Sequence, residues 1–238
     1  MTKTSLRELK SEDIARLIDV STVRTPHGEA DIRQLVTYAK EYRFISVHAL
    51  PCWVSLLSDL LSAHPDIYVG APVGFPSGAH KTLTKLTEAE QLLADGVEEM
   101  DLMMNVGMLR SGRLNYVEDE IKAIVQIAGD VEVKVILEVH CLSDDEIKKA
   151  CELCIKAGAA FVKTSTGWMP TGATLETVSL ISNFVGNAIK IKAAGGIRDL
   201  DTLAKMVALG VARFGINVQA AMDLISACAQ LPGGVLKV

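Results

Sequence analysis

Two lysines and an aspartate stand near the ends of apolar runs in this chain. Lys163 lies in AFVKTS (160–165), Lys192 in AIKIKAA (188–194) and Asp101 in EMDLMMNVG (99–107). A charged side chain in such a run is costly unless it has a partner or a task. Two amines held close together cannot both stay protonated cheaply, because a neighbouring cation and loss of water each lower a lysine's pKa. Bringing one from about 10.4 to about 7 takes roughly 4 kcal/mol of differential interaction. The neutral amine attacks carbonyls and forms a Schiff base. The protonated imine is an electron sink, so the adjacent carbon can add to an aldehyde or be released from one. A proton shuttle completes the chemistry, and Asp101 can supply it directly or through water. A blander reading of the same residues is an ion-pair network in which Asp101 neutralises one lysine. Lys190, two residues before Lys192, competes for the same role, and strand periodicity puts it on the same face or nearer the strand's start.

The elements that must position these groups alternate strictly. Apolar, β-rich runs occur at RLIDVS (16–21), FISVHAL (44–50), IYVGAPVG (67–74), EMDLMMNVG, VEVKVILEV (131–139), AFVKTS, AIKIKAA and ARFGI (212–216). Most are continuous in apolar residues, as strands covered on both faces should be. Amphipathic helix patterns such as EADIRQLVTYAKEY and TLTKLTEAEQLLADG lie between them, and Gly96, Gly158 and Gly210 stand where a helix pattern ends. Eight units in 238 residues, about 30 each, favour a closed α/β (β/α)8 TIM barrel over an open doubly wound sheet. No G-x-G-x-x-G follows the first strand. The expected organisation is a single TIM-barrel domain over 1–238, with a short N-terminal helical extension over about 1–15.

A barrel puts its chemistry at the C-terminal ends of the strands. The polar residues expected there are Asp19, Ser21, His48, Asp101, Asn105, Glu138, His140, Lys163, Thr164, Lys190 and Lys192. Lys163 and Lys192 are 29 residues apart, about one unit, and Asp101 precedes Lys163 by 62, about two. All three can meet at the mouth of the narrow barrel. AAGGIRD (193–199) follows the seventh strand, and its Gly195 and Gly196 let backbone N–H groups approach an anion before a helix start. Gly215 and Asn217 offer a weaker anion loop after the eighth. GFPSGAHKT (74–82) shapes a rim. His48, His80 and His140 are all expected at the mouth, where a three-histidine metal site is conceivable but not demanded by spacing. Glu138 is expected to pair with a lysine or orient a water.

Composition excludes other classes. The net charge is −5 and no basic stripe appears, which argues against a nucleic-acid partner. No run approaches the roughly 20 apolar residues of a membrane span, and MTKTSLRELKSED has no signal-peptide character. A soluble cytoplasmic protein is expected. Five scattered cysteines do not form a disulfide framework, and Cys151 and Cys154 share a face of a helix pattern as packed thiols.

The segments EEMDLMMNVGMLRSG (98–112), KVILE (134–138), AGAAFVKTSTGW (157–168) and IKAAGGIRD (191–199) resemble the deoxyribose-phosphate aldolase family, class I aldolases on a TIM barrel. The resemblance implies a Schiff base on Lys163, tuning by Lys192 and proton shuttling by Asp101, and it decides for Lys192 over Lys190. It implies reversible cleavage of 2-deoxy-D-ribose 5-phosphate to acetaldehyde and D-glyceraldehyde 3-phosphate, with no metal or cofactor, in a homodimer or higher homo-oligomer. The substrate-binding set is then Asp19, Ser21, Arg24, His48, Thr166, Gly195, Gly196, Gly215 and Asn217. Thr164, Ser165, Thr166 and Gly167 leave room and hydroxyls around the imine. The chain departs from the pattern at Asp19-Val20-Ser21, usually Asp-His-Thr. It departs again at His48-Ala49-Leu50-Pro51, usually Cys-x-Asn-Pro, at His140, usually a small residue, and at Gly215-Ile216-Asn217, which lacks the usual serine. The imine machinery is intact and the acceptor rim is altered. An acceptor that is unphosphorylated, or bears another anion held by Arg24, Arg198 or a rim histidine, is the alternative. Further alternatives are another Schiff-base barrel enzyme and a non-catalytic ligand-binding barrel.

Overall fold

The computed structural model describes residues 7–238. Strand β1 (Glu8–Lys10) leads into a short helix, Ser11–Ala15. Eight parallel strands follow: β2 (Ile18–Thr22), β3 (Ser46–Ala49), β4 (Tyr68–Val73), β5 (Glu99–Met103), β6 (Glu132–Ile136), β7 (Phe161–Lys163), β8 (Lys190–Ala194) and β9 (Val211–Ile216). They pair in that order, and β9 closes the barrel against β2. Strand β10 (Val235–Lys237) returns to pair antiparallel with β1, burying Leu9 and Leu236. The helical extension expected over about 1–15 is therefore part strand; residues 1–6 lie outside the described residues. Its polar sequence concealed a pairing partner more than 220 residues away.

The helices surround the barrel because each carries one apolar stripe. In Glu29–Tyr42 the buried positions are Ile32, Leu35, Val36 and Ala39, the spacing of one helical face. Each fully buried Leu or Ile contributes about 1.5–3 kcal/mol of transfer free energy. Cys151 and Cys154 belong to the buried face of Asp144–Lys156, and burial pushes the Cys151 thiol up to about 12. Gly96, Gly158 and Gly210 each have positive φ just past a helix end, the left-handed geometry of a C-terminal cap.

The barrel interior is unusual. Aliphatic layers normally fill it, but here charged side chains reach across it. Lys134 on β6 lies 3.9 Å from Asp19 on β2, and Arg213 on β9 lies 2.7 Å from Glu99 on β5. Gly70 on β4 leaves the space that the His48 ring fills: a Cβ there would come within 2.3 Å of it.

Candidate active site

The barrel's C-terminal end opens into a cavity of about 250 Å³. Asp19, His48, Asp101, Lys163 and Lys192 contribute to its lining. Register brings the two lysines side by side, since Lys163 on β7 and Lys192 on β8 are direct partners. Both amines converge on one oxygen: Oδ2 of Asp101 accepts from Lys163 Nζ at 2.7 Å and from Lys192 Nζ at 2.9 Å. Asp19 Oδ2 is a further partner of Lys192, at 2.6 Å. Among the described residues Lys163 has no second carboxylate within ion-pair distance.

This asymmetry separates the two amines. Burial lowers the pKa of Lys163; Asp101 opposes the shift and Lys192 reinforces it. Burial also works against charge on Lys192, yet Asp101 and Asp19 outweigh it and hold that lysine above its ordinary value. Burial would raise Asp101, but Lys163 and Lys192 keep its carboxyl well below the usual range. Of the two amines, Lys163 thus gives up its proton more readily, and Lys192 holds its own.

A second layer lies against the first. Arg213 bridges Asp19 at 2.5 Å and Glu99 at 2.7 Å, and Lys134 lies 2.5 Å from Glu99. Against Asp19, Glu99 and Asp101 stand Lys134, Lys192 and Arg213, so the interior charges balance with Lys163 neutral. Asp19, His48 and Glu99 offer ligand atoms within 4.8 Å of one another, a spacing that suits a metal. Lys192, Lys134 and Arg213 already occupy the cationic positions against those carboxylates. The histidines do not converge: His48 is inside the barrel, His140 contacts Thr171, and His80 lines a separate surface cavity.

The rim differs from expectation in several places. Asp19 lines the floor, but Arg213 and Lys192 occupy its oxygens, so it reaches a substrate only through them. Asn217 spends its side chain capping its own helix, accepting from Ala220 N at 3.0 Å. Arg24 donates to Gly167 O at 2.6 Å and stacks over Trp168, whose ring meets Phe75 edge-on. The Thr164 and Ser165 hydroxyls are not free around the amine; both donate to Ala194 O, at 3.0 and 2.6 Å, and stitch β7 to β8. Among the described residues Glu138 pairs with no lysine. It accepts from Thr166 Oγ1 at 2.5 Å and Thr166 N at 3.3 Å, fixing the turn after Lys163. Gly172 and Gly195 pack backbone on backbone, and a Cβ on Gly172 would lie 2.6 Å from Gly195 Cα. Ser21, Gly195, Gly196, Gly215 and the exposed Arg198 line the opening. Lys190 is excluded: its amine is outside, 2.6 Å from Glu132.

Residues 21–218 match the family described as DeoC/LacD family aldolase. The chain belongs to that family. This aldolase is 51% identical over 230 residues to the deoxyribose-phosphate aldolase of Rhizobium meliloti (strain 1021), covering 97% of this chain and 93% of that protein. It is 44% identical over 220 residues to that of Klebsiella pneumoniae, covering 92% and 88%. Among solved structures, a putative deoxyribose-phosphate aldolase from Coccidioides immitis superposes with a TM-score of 0.87 at 33% identity, covering 95% of this chain and 91% of that one. The deoxyribose phosphate aldolase of Aeropyrum pernix, described as a unique tetramer, gives 0.85 at 28% identity, covering 93% of each. The aldolase therefore shares fold and length with these relatives, and among the described residues no helix is long and apolar enough to cross a membrane.

Proposed function

We propose that this chain catalyses the reversible cleavage of 2-deoxy-D-ribose 5-phosphate to acetaldehyde and D-glyceraldehyde 3-phosphate through a Schiff base on Lys163. The observation that carries the reading is the convergence of two buried amines with unequal partners on Asp101, at the floor of an open cavity. Neutral Lys163 adds to the aldehyde carbon of the open-chain sugar, and loss of water leaves a protonated imine. The hydroxyl two carbons away loses its proton and becomes a carbonyl. The bond joining that hydroxyl-bearing carbon to the methylene beside the imine breaks, and its electron pair enters the imine to give an enamine. Protonation of the enamine and hydrolysis release acetaldehyde and restore Lys163. Lys192 keeps positive charge beside the imine nitrogen, and Asp101 takes part in the proton transfers.

The acceptor's phosphate is assigned to the Gly195–Gly196 turn, the Gly215 backbone and Arg198, because Arg24 and Asn217 are engaged elsewhere. The departure at Gly215-Ile216-Asn217 supports a second reading, an acceptor without phosphate or with another anion. Comparing kcat/KM for deoxyribose 5-phosphate and for deoxyribose decides between them. A large preference for the phosphorylated sugar supports the first reading; equal efficiencies support the second. Self-association in the cytoplasm completes the proposal. The description of the Aeropyrum pernix neighbour as tetrameric supports it, and light scattering on the purified chain measures it.

A further inference from the structure

The imidazole of His48 is a floor group that the steps above leave without a task. It is 3% exposed, and Gly70 opposite exists as a space that fits it. On one side, Nε2 is 3.1 Å from Ser46 Oγ, with Asp19 and Glu99 oxygens at 3.7 and 3.8 Å. Three oxygens on that side favour the ring proton on Nε2. Nδ1 is then a bare lone pair. It has no hydrogen-bond partner among the described residues and lies 3.6 Å from Asp101 Oδ2, another acceptor. His48 and Asp101 both line the cavity. A water seated beside the pair at the cavity floor would satisfy both acceptors by donating one hydrogen to each.

Building on the aldolase reading, we propose that His48 is a positioning residue that holds such a water with Asp101 and receives the proton this water relays from the reacting hydroxyl. The balance is as follows. The substrate O–H proton passes to the water oxygen, and the water gives one of its own protons to Nδ1. The O–H electron pair becomes the new carbonyl, and the carbon–carbon pair becomes the enamine. The imidazolium later returns its proton through the water to the enamine carbon. Asp101 alone is a poor acceptor, because Lys163 and Lys192 hold its carboxyl so low. Burial, and Lys192 behind it, lower the imidazole, which favours the neutral ring with its Nδ1 lone pair open, while Asp101, Glu99 and Asp19 oppose that shift. The groups facing it are Ser46 on its own strand, Asp19 on the adjacent β2, Glu99 and Asp101 on β5 two strands away, and Lys192 from β8.

The test is His48→Asn, which keeps a polar atom near the Nδ1 position but cannot accept a proton. His48→Gln, which keeps a partner for Ser46, is the second variant. Two readouts are taken on each: sugar cleavage across pH, and borohydride trapping of acetaldehyde on Lys163. The expected result is trapping at the wild-type level, with cleavage lower by about a hundredfold and the acid limb of the rate profile altered. Cleavage within about threefold of wild type overturns the proposal. So does a parallel loss of trapping and cleavage, which makes His48 a structural support of Lys163. Absence of an adduct in the wild-type chain instead overturns the Schiff-base reading on which the relay rests.

Discussion

Lys192→Met removes the cation and keeps the stem. Lys163 and Lys192 touch the same oxygen, at 2.7 and 2.9 Å, so their amines lie close together. Two unit charges about 5 Å apart at an effective dielectric near 20 repel by about 3 kcal/mol. Losing that repulsion favours protonated Lys163 and lowers the free amine by roughly a hundredfold at a fixed neutral pH. The sign follows from the nucleophile: the neutral fraction grows with pH, so the deficit should shrink as pH rises. Sugar cleavage measured from about pH 6 to about pH 9 should show a roughly hundredfold loss at the low end that narrows steadily. The variant should also be less stable, because Asp19 and Asp101 lose a buried partner; Arg213 still holds Asp19. A deficit of constant size across that range would refute the tuning argument and leave Lys192 only a proton-transfer role. No deficit at all would refute both.

Other outcomes follow from the packing. Lys85 is fully buried between helices, donating to Glu120 at 2.6 Å and to Met103 O at 2.8 Å, two residues beyond Asp101. Lys85→Met should cost about 3–5 kcal/mol in urea unfolding, and Lys85→Met with Glu120→Leu should recover most of it; equal losses in both would contradict a buried-charge penalty. In native protein a thiol reagent should modify Cys52 and Cys141 and spare Cys151, Cys154 and Cys228, which are buried; rapid reaction at Cys151 would contradict the raised thiol.

Much of this was legible in the sequence. Each of the eight apolar runs overlaps a barrel strand, six containing it whole and RLIDVS and ARFGI falling one residue short, because strands covered on both faces leave a continuous apolar signature. The spacing of Asp101, Lys163 and Lys192 was enough to bring them together, because each unit contributes one strand end. The second layer was missed, although its signal was present. Glu99, Lys134 and Arg213 interrupt apolar runs as plainly as Lys163 does, and buried charges require partners. What the sequence hides is which partner lies across the barrel, since Arg213 and Glu99 are 114 residues apart. His48 was expected at the mouth and lies within, because strand periodicity gives its face but not its depth. Arg24, Asn217 and the hydroxyls of Thr164 and Ser165 were read as groups around the substrate, and Glu138 as a partner for a lysine or a water. Their polar atoms instead hold loops in place, a choice set by neighbours that a linear pattern cannot show.

The most direct measurement is borohydride reduction of the chain with acetaldehyde, followed by peptide mass mapping. Lys163 should carry the reduced two-carbon adduct, with Lys192 and Lys190 unmodified, and Lys163→Ala should abolish both adduct and cleavage. An adduct on Lys192 instead, or no adduct on the peptide containing Phe161–Trp168, would contradict the account.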